Sequence, residues 1–189
     1  MNMRKKLLGP EHPLALISMS NLANTYLNLG RKNEAEQLGL QVTEIRKKLL
    51  GPEHPDTLLS MGNLARTYSD QGRCNEAGQL ELQVMDIRKK LLGPEHPQTL
   101  ISMGNLAKTY FDQERWNEAD ELLVQVMNIR KKLLGAEHPV TLQAMEILTI
   151  IRNAGMRQDK WSLKSWIMKI GKYLKNIIFT YLKFVVGLF

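Results

Sequence analysis

Cysteine occurs once in the 189 residues, at Cys74, which excludes an intramolecular disulfide framework and a cysteine-rich metal site. Aromatic residues make up only 6% of the chain. β-Branched residues are also scarce before the last thirty positions, so a sheet is disfavoured. No Ser-His-Asp arrangement, Gly-rich phosphate loop, H-E-x-x-H helix or EF-hand spacing occurs. No catalytic residue, cofactor or metal is therefore expected. Long apolar runs are lacking too: residues 177–189 carry Lys183 as their only charge but number 13, against about 20 needed to cross a bilayer. Residues 1–8 are basic and stop at Gly9-Pro10, without the apolar core of a secretion signal. Together with the lone thiol, this predicts a reducing, cytoplasmic setting.

The formal net charge of +7 is unevenly spread. Residues 157–189 hold seven bases against Asp159, giving +6, while residues 1–156 hold 19 bases and 18 acids, giving +1. A nearly neutral body argues against a nucleic-acid partner. The same tail holds seven of the twelve aromatics, so body and tail are different segments.

What the body does have is repetition. The string Leu-Leu-Gly-Pro-Glu-His-Pro begins at Leu7, Leu49 and Leu91, and returns at Leu133 with Ala136 in place of the first proline, every 42 residues. Residues 51–92 and 93–134 are identical at 31 of 42 positions. Within the second unit, Leu58, Met61, Leu64, Ala65 and Tyr68 recur at helical spacing, as do Ala77, Leu80, Val84, Ile87 and Leu91. Gly72 separates the two stripes. Asp56-Thr57 and Asn75-Glu76 offer N-caps, and Gly51 and Gly93 offer C-caps. Helices are predicted at about 14–29, 33–50, 57–71, 75–92, 99–113, 117–134 and 140–152. One helix pair cannot bury its stripe, but stacked pairs can, which predicts an all-α helix-turn-helix solenoid. Residues 1–152 form the array, with units of about 9–50, 51–92, 93–134 and a partial 135–152; residues 153–189 are a separate basic, amphipathic helix or cap.

Met61, Leu64, Ala65, Tyr68, Gly72, Ala77 and Leu80 fit the tetratricopeptide pattern of large, Leu, small, Tyr, Gly, Ala and large residues. The 42-residue period and the Leu-Gly-x-x-His-Pro linker resemble the kinesin light chain subtype of that family. Similar units occur in the C-terminal sensing arrays of immune-type NTPase receptors. The likeness covers about residues 1–150. It departs where Met stands for the first-position Trp, where Gly72 becomes Glu114, and after Thr149, where the fourth unit loses register. No heptad coiled coil of the kind that joins a light chain to its motor is present. The resemblance implies a right-handed superhelical array, a non-catalytic scaffold for protein partners and a role as an adaptor. The alternatives are a fragment of a receptor's sensing array and a membrane-surface-associated peptide binder. Residues 1–8 match residues 127–134, so the chain starts in the last turn of a second helix. That predicts a truncated product, a partial gene model, or an array completed by self-association at this end.

Candidate sites follow from the same register. His12, His54, His96 and His138 all sit in the linker, a repeat apart, which suits linker structure and not a shared metal. Cys74 is Trp116 in the next unit, so no thiol chemistry is expected. The acids read as surface groups paired with bases three or four residues away. The Arg-Lys-Lys runs at 4–6, 46–48, 88–90 and 130–132 fall in last helical turns, where the helix dipole accounts for them better than a basic ridge for a partner does.

In tetratricopeptide arrays the first helix of each pair lines a concave groove. By that resemblance Asn21, Asn63 and Asn105, with Asn24, Arg66 and Lys108 one turn on, form a peptide-binding face. Asn can both donate to and accept from a peptide backbone, and Arg or Lys can pair with an acidic partner residue. An ordinary solvated face is the competing explanation. In the tail, Trp161, Lys164, Trp166, Lys169, Lys172 and Lys175 belong to an aromatic-and-lysine helix suited to an anionic membrane surface. The same helix also stands where the missing second helix of the fourth unit belongs, so it can equally cap the solenoid; a tail anchor or a spurious extension is the remaining alternative.

Overall fold

The computed structural model describes residues 9–153, and every regular element among them is a helix. Six helices are complete: α1 (Pro13–Asn28), α2 (Lys32–Leu50), α3 (Pro55–Asp70), α4 (Cys74–Leu92), α5 (Pro97–Asp112) and α6 (Trp116–Leu134). A seventh, α7, starts at residue 139 and is described to residue 153. The predicted mid-helix start at residues 1–8, and the tail with Trp161, Lys164, Trp166, Lys169, Lys172 and Lys175, lie outside the described residues.

Each first helix begins one or two residues before its predicted start, for a reason that lies in the linker. His12, His54 and His96 are the N-caps: their Nδ1 atoms accept the backbone N–H of Leu14 (3.2 Å), Asp56 (3.1 Å) and Gln98 (3.1 Å). His138 does the same for Val140 at 3.3 Å. The proline after each histidine occupies the first helical position, where a missing N–H costs nothing. Asp56 and Thr57, expected as caps, lie inside α3.

The second helices start differently. Their N-caps are Arg31, Arg73 and Arg115, none of which makes a side-chain cap hydrogen bond. Instead each guanidinium pairs with a glutamate three residues on, Glu34, Glu76 and Glu118, and lies about 4 Å over the ring of Tyr26, Tyr68 or Tyr110. The residue before each arginine is left-handed: Gly30, Gly72 and, in the third unit, Glu114 at φ 61°. A side chain there costs about 1 kcal/mol relative to glycine.

Consecutive helices pack on one another throughout. The stripe of Leu58, Met61, Leu64, Ala65 and Tyr68 is buried, and Met61 with Leu58 meets Val84 of α4. Further along, Met85 of α4 packs with Leu100, Met103 and Leu106 of α5 and Val126 of α6, so the core is continuous across units. Leu91 is an exception to the expected stripe. It is 49% exposed, and the leucine pairs ending α2 and α6 are exposed to a similar degree.

Among the described residues, the arginines of the Arg-Lys-Lys runs do not behave as dipole-facing surface cations. Arg46 is 5% exposed and donates to the Asp56 carbonyl (3.0 Å) and Ser60 Oγ (3.2 Å) at the start of the next unit. Arg88 donates to Ser102 Oγ (2.7 Å), and Arg130 to the Val140 carbonyl (3.2 Å). Successive residues on a helix point about 100° apart, so the arginine turns inward while Lys47-Lys48 and their equivalents stay at the helix end. The arginines therefore bolt one unit to the next.

Candidate functional site

The first helices α3 and α5 lie side by side across α4 and leave a cavity of about 380 Å³ between them. Asn63 and Arg66 of α3 and Asn105 and Lys108 of α5 all line it. Asn105 and Lys108 also line the next cavity, of about 430 Å³, between α5 and α7. Asn21 and Asn24 stand at the matching positions of α1, exposed and half-buried respectively, and line neither cavity.

Two features give this face room and adhesion. Gly62 and Gly104 sit inside α3 and α5, and a Cβ added at either meets nothing within 4 Å. A helix-interior glycine costs about 1 kcal/mol relative to alanine, and no packing contact explains that cost here. Beside them Ile17, Leu59 and Ile101, one repeat apart, are each about half exposed. Leu59 and Ile101 are part of the cavity lining.

The charges are mixed. Arg66 is exposed and makes no ion pair among the described residues, whereas Lys108 is held by Asp112 at 2.8 Å. Arg88 and Glu81 come up from α4 and Asp70 from α3. Glu81 is the residue that sequence reasoning missed. It is not a surface acid paired three or four residues away: it is 5% exposed, and its Oε2 has no hydrogen-bond partner among the described residues. Burial pushes its pKa up to about 7, offset only in part by the charge of Arg88 and a hydrogen bond from Asn105. The available signal was the register, since the same position holds Gly39 one unit earlier and Leu123 one unit later.

Other acids that break the expected local pairing are structural. Glu36 of α2 accepts from Gln71 (2.8 Å) and Arg73 (2.7 Å) of the next unit, and these bonds hold its carboxyl below the ordinary range. Cys74 is half-buried at the start of α4. No group of acids, histidines and cysteine among the described residues has metal-binding geometry, and no described helix is long and apolar enough to cross a membrane.

Stacked helical hairpins, a 42-residue register and a groove along the first helices define an interaction scaffold. The family model for the tetratricopeptide repeat matches residues 16–56, 57–98 and 99–140. This chain belongs to the tetratricopeptide repeat family. Among solved structures it is similar to a Podosopora anserina protein assigned as a kinesin light chain with nearly identical TPR-like repeats. The identity is 40%, over 86% of this chain and 77% of that one, with a TM-score of 0.74. A single-substitution form of that protein matches at 39% identity over 89% and 80%, with a TM-score of 0.75. BtubC (BKLC) from P. vanneervenii shares the fold at 18% identity over 75% of this chain and 56% of its own, with a TM-score of 0.67. A search of the curated proteins finds no match.

Proposed function

We propose that this chain is a cytoplasmic, kinesin light chain-like adaptor that holds an extended peptide segment along its first-helix face. Asn21, Asn63 and Asn105 bond the peptide backbone, and Asn24, Arg66 and Lys108 take its polar and acidic side chains. The observation that carries this is the pair Gly62 and Gly104, which leave helix backbone bare where the fold needs no space. Glycine allows a ligand's main chain to approach closely. The half-exposed Ile17, Leu59 and Ile101 supply apolar contact beside the polar row, and the likeness to the Podosopora protein supports the adaptor role.

The test is binding of acidic peptides to the chain and to an Arg66→Glu, Lys108→Glu double variant. Reversing two rim charges is expected to weaken acidic peptides roughly tenfold and to flatten the salt dependence of binding. Unchanged affinity removes the acidic-partner assignment.

A further inference from the structure

The two successive cavities are built from matching positions: Leu59, Gly62, Asn63, Arg66 and Arg88 in one correspond to Ile101, Gly104, Asn105, Lys108 and Arg130 in the other. They differ on the far wall, where Gln143 and Ile147 of α7 stand for Ile101 and Asn105 of α5, and at the floor. Where the second has Leu123, the first has Glu81. A buried acceptor without a partner costs free energy that a leucine at the same place avoids. The scaffold itself shows that leucine fits there, since Leu123 is 3% exposed and packs against Ala107, Ala119 and Leu148. Neither stacking nor stability accounts for Glu81.

Resting on the peptide-groove assignment, we infer that the Glu81 cavity is a subsite for an uncharged hydrogen-bond-donating side chain of the bound segment, an amide or hydroxyl that satisfies Glu81 Oε2. Lys108 is paired with Asp112, but the charge of Arg88 already acts on Glu81 at the floor and opposes a lysine or arginine there. A purely apolar side chain seals in the orphan oxygen. An acidic side chain is repelled by Glu81 at the floor and is matched by Arg66 at the rim. An amide or hydroxyl meets neither objection, and its N–H or O–H donates to the carboxylate. The adjacent cavity, floored by Leu123, takes an apolar side chain one step along the segment.

The experiment is selection from a random peptide library on three proteins: the native chain, Glu81→Leu and Arg66→Glu, Lys108→Glu. The native chain is expected to enrich Asn, Gln, Ser or Thr at a fixed offset from an acidic residue. Glu81→Leu, which makes the first floor like the second, is expected to exchange that preference for an apolar one and to bind the native-selected peptides about tenfold or more weakly. The charge-reversed variant should lose the acidic preference and keep the amide or hydroxyl. The subsite is overturned if Glu81→Leu selects the same peptides as the native chain, or if lysine or arginine fills the offset position. An amide or hydroxyl preference that depends on Glu81 without any acidic preference defeats the acidic-partner assignment and leaves the subsite standing. No enrichment on the native chain defeats both.

Discussion

Both sets of helices carry glycine in mid-helix, and the two sets use it differently. In the second helices, a Cβ at Gly39 would stand 3.3 Å from Leu64 Cδ1, and one at Gly78 would stand 2.9 Å from Gln113 Nε2. Those glycines let neighbouring helices approach. In the first helices, Gly62 and Gly104 face open space. The contrast extends to other residues. Arg46, Arg73, Arg88 and Glu36 on the second helices and their turns all find partners in an adjacent unit. On the first helices Ile17, Leu59, Ile101 and Arg66 remain turned to solvent without a folding role. Stacking accounts for most of the second helices; unexplained costs gather on the first, and among second-helix residues at Thr43, whose buried Oγ1 lacks a partner among the described residues, and at Glu81, which reaches the cavity between the first helices.

The sharpest way to strain this comparison is to remove Glu81. Its folded pKa of about 7 lies above the ordinary 4.5. Between those values the folded state holds a proton that the unfolded state has released, so stability falls as pH rises from 4.5 to 7 and is flat above. The span corresponds to roughly 3 kcal/mol. Glu81→Leu is therefore expected to gain on the native chain by about that amount between about pH 4.5 and pH 8 in urea titrations, through loss of the buried charge. A difference independent of pH means the carboxylate is not desolvated.

Next in size is Arg46→Ala, which removes two hydrogen bonds between units, to the Asp56 carbonyl and Ser60 Oγ, and should cost about 2 kcal/mol although Ser60 Oγ still donates to that carbonyl. Arg130→Ala, with one such bond to a partly exposed partner, should cost less; equal losses would argue against the unit-to-unit bolt. The smallest effects compare the glycines themselves. Gly62→Ala and Gly104→Ala are each expected to raise stability by about 1 kcal/mol and to weaken peptide binding, whereas Gly78→Ala forces Gln113 to move and should gain less or destabilise. Stabilised Gly62→Ala with unchanged binding breaks the link between bare backbone and ligand.

Much of the fold is legible in the chain because each buried stripe is local: Met61, Leu64, Ala65 and Tyr68 share a face at helical spacing whatever lies opposite. What depends on another unit is not legible that way. The histidine caps hide behind a proline that reads as a break, and Asp56 looks the better cap until the helix is seen to start at Pro55. Arg88 is grouped with Lys89 and Lys90 by sequence but separated from them by helical rotation. Leu91 keeps the period of the buried stripe but is itself half exposed. Glu81 resembles any surface acid until α5 is laid against it. Of the groove residues, Asn63, Arg66, Asn105 and Lys108 meet around one cavity because equal repeats bring equal positions side by side.

The most direct test follows the side-chain amide resonances of the chain as an acidic library-selected peptide is added. Asn63 and Asn105 lie on the first helices, while Gln79, Gln83 and Gln125 are exposed on the second. If the first helices form the binding face, Asn63 and Asn105 shift on saturation and the three glutamines do not. Shifts confined to Gln79, Gln83 and Gln125 would contradict the account, placing the ligand on the face that stacking already explains.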